Sequence, residues 1–264
     1  MKFLIFLLIP FSFYAQTEGK NDEQNKIIDE CLTNCAYKYN YTVNMQEWQN
    51  CIDAGLKKDS TVAYLWQQKA MPYFKARKYE VGMPFIDKAV LYNAERWQPY
   101  RAFIKCIFAK TYKEAIVDFE DCKKKYGNGY VMDHTYDFYI ALSYLQLNDY
   151  KKAENLLQNY VDEMQAKNGE DWVHFTALFY LGIAKYEQNK LDDAIVEFDR
   201  ALKKYPNYSD VKTYKGISLC KLGKKEEGIK LIQDADEDYK NGYKLNEDNA
   251  IYETYPYQVR RKWL

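Results

Sequence analysis

From about Asn21 onward, apolar residues return at intervals of three and four along stretches of roughly 13 residues, and short breaks of Gly, Asn, Asp or Pro separate the stretches. No stretch alternates with period two, so the pattern predicts an all-α chain. The stretches come in twos. They predict helix pairs over about residues 22–57, 63–94, 96–126, 134–167, 175–205 and 209–242, with residues 243–264 left over as a tail. Breaks this short turn each second helix back against the first.

The pairs resemble one another. In Phe175 to Tyr208, Leu178, Leu181 and Gly182 fall on the first helix and Ala194, Phe198 and Ala201 on the second, and Pro206 stops it. Small residues at 182, 194 and 201 let two helices approach closely, while Leu178 and Phe198 fill the space beside them. Lys185 departs from the pattern, standing where an aromatic residue is usual. Gly216, Leu219, Gly223, Gly228, Ile232 and Ala235 repeat the arrangement one unit later, with Lys212 and Lys215 in slots that are usually apolar. Backward along the chain, Ile140, Ala141, Tyr144, Tyr150, Ala153 and Leu157 mark a further unit. Ala102, Cys106, Tyr112, Ala115, Phe119 and Cys122 mark another, and Trp66, Ala70, Tyr73, Tyr79, Gly82, Ile86 and Ala89 one more. Pro72 lies inside a first helix, where it removes a backbone donor and is expected to kink it. The most degenerate unit pairs Asp22 to Tyr39 with Asn44 to Lys57.

A large residue, Leu-Gly, aromatics, Ala and a closing Pro at a step of about 34 residues resemble the tetratricopeptide repeat. The resemblance covers residues 16–242 and implies a right-handed superhelical solenoid of about six antiparallel helix pairs. It also implies a concave face lined by the first helices. The residues that point into such a face are Tyr64, Phe74, Trp97, Tyr100, Arg101, Phe108, Phe138, Tyr139, Phe179, Tyr180, Tyr186 and Tyr214. Tyrosine suits recognition because it offers flat apolar area and a hydroxyl at little entropic cost. The alternative for each ring is packing between neighbouring repeats. The tail carries Tyr252, Tyr255, Tyr257 and Trp263, and two readings stand for it: it caps the last pair, or it occupies the groove.

Ahead of the repeats, Met1 and Lys2 followed by the apolar run Phe3 to Phe13 read as a signal peptide, residues 1–15, cut after Ala15. The run is shorter than the roughly 20 apolar residues of a transmembrane helix. The expected destination is the periplasm or the extracellular space. An oxidising compartment and six cysteines then allow disulfides. Cys35 and Cys51 face each other across the first predicted hairpin and are the expected pair. Cys106, Cys122 and Cys220 read as small buried hydrophobes.

Composition narrows the function. With 38 basic and 38 acidic residues the chain offers no field for a polyanion, so neither nucleic acid nor membrane insertion is expected of the mature protein. Aromatics are 17% of the chain and Tyr alone numbers 27, more than narrow helix interfaces need. The two histidines, His134 and His174, stand just before predicted helices at no metal-ligand spacing, and HExxH, CxxC and GxSxG are absent from the sequence. The acidic pairs Asp192, Asp193 and Glu226, Glu227 read as helix starts. No catalytic residue, metal or cofactor is expected. The expected function is a non-catalytic adaptor, assembly factor or neutralising binder that holds a peptide segment of another protein of the envelope or exterior. A groove binding a glycan or small ligand is the alternative.

Overall fold

The computed structural model describes residues 21–260; residues 1–15, expected to be a signal peptide, and Trp263 lie outside the described residues. Residues 21–28 are α-helical and run into a π-helical turn, Asp29–Thr33, together forming α1. There follow α2 (Met45–Lys58), α3 (Ala63–Lys75), α4 (Tyr79–Tyr92), α5 (Ala94–Phe103, continued by a π-helical turn Ile104–Ala109) and α6 (Tyr112–Tyr126). The short strands β1 (Tyr130–Val131) and β2 (His134–Thr135) come next. The chain continues with α7 (Tyr136–Gln146), α8 (Tyr150–Asn168), α9 (Phe175–Glu187), α10 (Leu191–Lys204), α11 (Ser209–Lys221) and α12 (Lys225–Lys240). The helices pair as the periodicity predicts, in an all-α repeat. Among the described residues the strands form a single antiparallel β1–β2 hairpin, too short to show period two, which pairs Tyr130 with Thr135 and Val131 with His134.

Four of the turns inside the pairs follow one design. Their middle residues, Arg77, Asn148, Asn189 and Gly223, all have left-handed backbones with φ of 60°, 61°, 59° and 86°. The next amide in each turn reaches back into the first helix: Lys78 to Tyr73, Asp149 to Tyr144, Lys190 to Lys185 and Lys224 to Leu219. Asn and Gly tolerate this conformation, and a left-handed residue followed by a back-bonded amide ends a helix within one turn.

Two compact units divide at Trp97 and Gln98, within α5. In the first, Ile27, Leu32, Trp48, Ile52, Val62 and Leu65 form the core. The disulfide Cys35–Cys51, with Cα atoms 5.7 Å apart, ties the segment after α1 to α2. Pro72 lies in the last turn of α3. Its missing amide orphans the carbonyl of Gln68, and the Trp48 indole Nε1 donates to that carbonyl at 3.1 Å. A Cβ placed on Gly82 would lie 2.5 Å from the Phe74 ring, so α3 and α4 touch where the small residue stands.

In the second unit the same contact recurs. A Cβ on Gly182 would lie 2.4 Å from the Phe198 ring, and one on Gly216 would lie 2.8 Å from the Gly228 carbonyl. The lysines that break the apolar pattern have acidic partners. Lys185 bonds the buried Glu197 at 2.6 Å, Lys212 pairs with Asp238, and Lys215 meets Asp199 at 2.6 Å. Asp192 and Asp193 occupy the first turn of α10, and Glu226 and Glu227 that of α12, at the positive ends of those helices.

Candidate functional site

The residues expected to line one open face fall into three environments. Phe74 lies inside its own helix pair against Gly82, turned from any groove, because the slot opposite a glycine demands a large ring. Tyr64 and Trp97 stack in the first unit, centroids 5.9 Å apart and planes within 6°, beside Arg96, whose guanidinium lies over the Trp97 ring. With Gln24, Ile28 and Val62 they line a shallow cleft.

In the second unit several rings serve the packing between repeats. Tyr139 is fully buried and stacks on Phe119 of α6 at 5.7 Å, with Phe103 edge-on at 5.3 Å. Phe108 is buried against Phe103. Phe179 lies among Phe198, Tyr208 and Tyr214, joining α9, α10 and α11. Arg101 holds the buried Asp118 of α6 through Nε at 2.8 Å and Nη2 at 2.7 Å, and Lys105 adds a third bond, so this cation serves its own helix pair. Tyr100 is half-buried beside Phe103.

Tyr180 and Tyr214 meet the tail. Residues of the 243–260 segment bond and pack against α9 and α11. The Tyr180 hydroxyl, fully buried, donates to the Pro256 carbonyl at 2.9 Å. Tyr257 packs on Tyr214 with centroids 6.1 Å apart, and Tyr214 in turn meets Tyr186 edge-on. Lys221 lies over the Tyr186 ring and donates to its hydroxyl at 2.8 Å. Tyr255 and Leu245 are buried, 3% and 1% exposed, and Lys110 pairs with Glu253. The tail meets Tyr180 and Tyr214, two of the rings expected in a groove, and also bonds the start of α11, where the Ser209 amide donates to the Tyr243 carbonyl at 3.0 Å.

Two features of this site carry no local signal in the sequence. The first is Asp210, fully buried in the first turn of α11. Its Oδ2 accepts the Leu245 amide at 2.9 Å and its Oδ1 the Val259 amide at 2.6 Å, so one carboxylate clasps both ends of the tail's crossing. The second is a cluster of His134, His174 and Glu247, whose ligating atoms all lie within 4.8 Å of one another. The two histidines, which stand at no metal-ligand spacing in the sequence, are thus brought together by the fold. They precede the first helices of consecutive repeats, so stacking brings them edge-on at 5.0 Å, and the tail returns Glu247 to within 3.1 Å of His134 Nε2.

Phe138 stacks on the His134 ring at 3.8 Å and meets Tyr180 edge-on, linking the cluster to the tail-binding rings. Burial, with the neighbouring His134 charge, pushes the His174 imidazole down to about 4. Burial alone would raise the Glu247 carboxyl, but the His134 hydrogen bond and the two imidazole charges outweigh it and hold the group below its usual range.

The comparisons agree with this architecture. Residues 175–208 and 136–163 each match a family model described as tetratricopeptide repeat. No curated protein matches the chain in sequence. Among solved structures the chain is similar to a tetratricopeptide repeat protein from Parabacteroides merdae, with TM-score 0.64 and 12% identity over 82% of this chain and 80% of that one. It is similar also to PilW, described as a widely conserved type IV pilus biogenesis factor, with TM-score 0.62 and 13% identity over 78% and 90%. A third is YrrB, described as a TPR protein with an unusual peptide-binding site, with TM-score 0.51 and 18% identity over 72% and 93%. Residues 136–163 and 175–208 are thus tetratricopeptide repeats, and the fold of the chain is the helical repeat of these solved proteins. Among the described residues no helix is long and apolar enough to cross a membrane.

Proposed function

We propose that the mature chain is an exported, non-catalytic adaptor whose aromatic face on α7, α9 and α11 takes a peptide segment of a protein partner, with residues 243–260 holding that place until the partner displaces them. The observation that carries this reading is how the face treats the tail. Tyr180 reads a main-chain carbonyl and Asp210 reads two main-chain amides, so the polar groups are spent on backbone while Tyr214 offers an apolar ring to a side chain. Groups arranged this way suit any extended peptide with aromatic side chains at the right spacing. YrrB, described by its peptide-binding site, is a precedent for such use of the fold, and PilW for a role in surface assembly. The apolar run after Lys2 and the Cys35–Cys51 disulfide both favour an oxidising, exported location.

The test is to end the chain at Gly242, check its helicity by circular dichroism, and add a labelled peptide of residues 243–260 in trans. The truncated chain is expected to bind the peptide and the intact chain to bind it far more weakly. A folded truncated chain that ignores the peptide would count against the groove. Mass spectrometry of protein from the native host tests export separately, with residues 1–15 expected to be missing.

A further inference from the structure

We propose that His134, His174 and Glu247 form a binding site for a single divalent transition-metal ion, zinc by its donor set, which pins the C-terminal tail to the repeats. The site rests on the seat of the tail and not on the identity of any partner. Two imidazoles and one carboxylate are a donor set that zinc takes, leaving a fourth position for water or another oxygen. Their sum, with both rings neutral, is one negative charge facing a dication.

The geometry is close to what an ion needs. Ligand atoms each about 2.1 Å from a common ion lie at most about 4.2 Å apart. Here they all lie within 4.8 Å, and His134 Nε2 and Glu247 Oε1 are already at 3.1 Å. Small side-chain rotations close the remainder. Glu247 Oε1 already faces His134 Nε2, and the His174 Nδ1 bond to the Thr176 amide is a long 3.3 Å, so little hydrogen bonding holds the trio in its present arrangement.

The three residues also come from the parts such a clamp would join. His134 belongs to β2 and His174 is the N-cap of α9, both fixed by the repeats, whereas Glu247 arrives with the tail. An ion held by all three therefore binds the tail-docked state more tightly than an undocked one, where only the histidines remain. That difference in affinity shifts the equilibrium toward docking.

The experiment uses the full chain, stripped with a chelator and titrated with Co2+, whose visible absorption reports imidazole and carboxylate ligation. One equivalent is expected to give the spectrum and Zn2+ to abolish it by displacement. Zn2+ is also expected to slow hydrogen exchange at the Leu245 and Val259 amides. Glu247→Gln and His174→Ala should each weaken binding by about tenfold or more. Absence of a cobalt spectrum in the unsubstituted chain would overturn the proposal, as would a spectrum that both substitutions leave unchanged; the trio would then be a hydrogen-bonded cluster only. Since no partner or peptide is present, this outcome is independent of whether the groove binds another protein.

Discussion

The Tyr180 hydroxyl donates to the Pro256 carbonyl at 2.9 Å, joining a ring on α9 to a tail residue 76 positions further along the chain. Both groups are buried, so the bond matters chiefly through what its loss would leave behind. Replacing Tyr180 with Phe keeps the ring and strands a buried carbonyl, at a cost of about 1 to 3 kcal/mol. The tail should then open more often. Trypsin cleavage at the exposed Lys244 is expected to accelerate by roughly tenfold, since about 1.4 kcal/mol corresponds to that factor, while helicity stays unchanged. An unaltered cleavage rate would mean that the bond does not hold the tail.

Asp210 should matter more. It accepts amides from both Leu245 and Val259, and hydrogen bonds to a charged acceptor are worth more than neutral ones. Asp210→Ala is expected to destabilise the docked tail by about 3 kcal/mol, raising exchange at both amides together. If only one amide responds, the carboxylate is not a two-ended clasp.

The contact between Gly182 and Phe198 predicts an overpacking effect. A methyl group at position 182 would press on the Phe198 ring, and Gly182→Ala should cost about 1 to 3 kcal/mol in urea unfolding despite the better helix propensity of alanine. Gly182→Ala combined with Phe198→Leu should recover part of the loss, because the smaller side chain makes room.

In the first unit, the Cys35–Cys51 bond closes a loop with a sequence separation of 16. Replacing both cysteines with serine is expected to lower stability by about 3 kcal/mol in the chain-entropy picture. Urea titrations of the two proteins without reductant would measure it, and equal midpoints would show that the bridge adds nothing to the folded state.

The sequence carried the repeat because its signals are local. Gly82, Gly182 and Gly216 stand where helices touch, and the left-handed turns of the last pairs use Asn148, Asn189 and Gly223, types that accept that backbone. The lysines at 185, 212 and 215 looked like damage to the pattern, yet each has an acidic partner on a neighbouring helix that no local window contains. The face was legible only in part. Tyr180 and Tyr214 meet the tail and Tyr186 packs on Tyr214, but Phe74, Tyr139 and Phe179 pack inside pairs or between repeats, since an aromatic ring at helical spacing fits either environment.

What the chain's own order of residues determined is therefore the helix pairs, their turns and the close contacts within each pair, all of which depend on positions a few residues to one repeat apart. Only the tertiary structure decided where the tail goes and what it meets. Tyr252, Tyr255 and Tyr257 can satisfy a cap or a groove equally well, and the choice depends on Asp210, Tyr180 and Lys110 at distances of 49, 76 and 143 residues from their tail partners. The same stacking placed two histidines from successive repeats beside a glutamate from the tail. Periodicity encodes contacts that recur, and a site assembled once, from three distant segments, has no period to read.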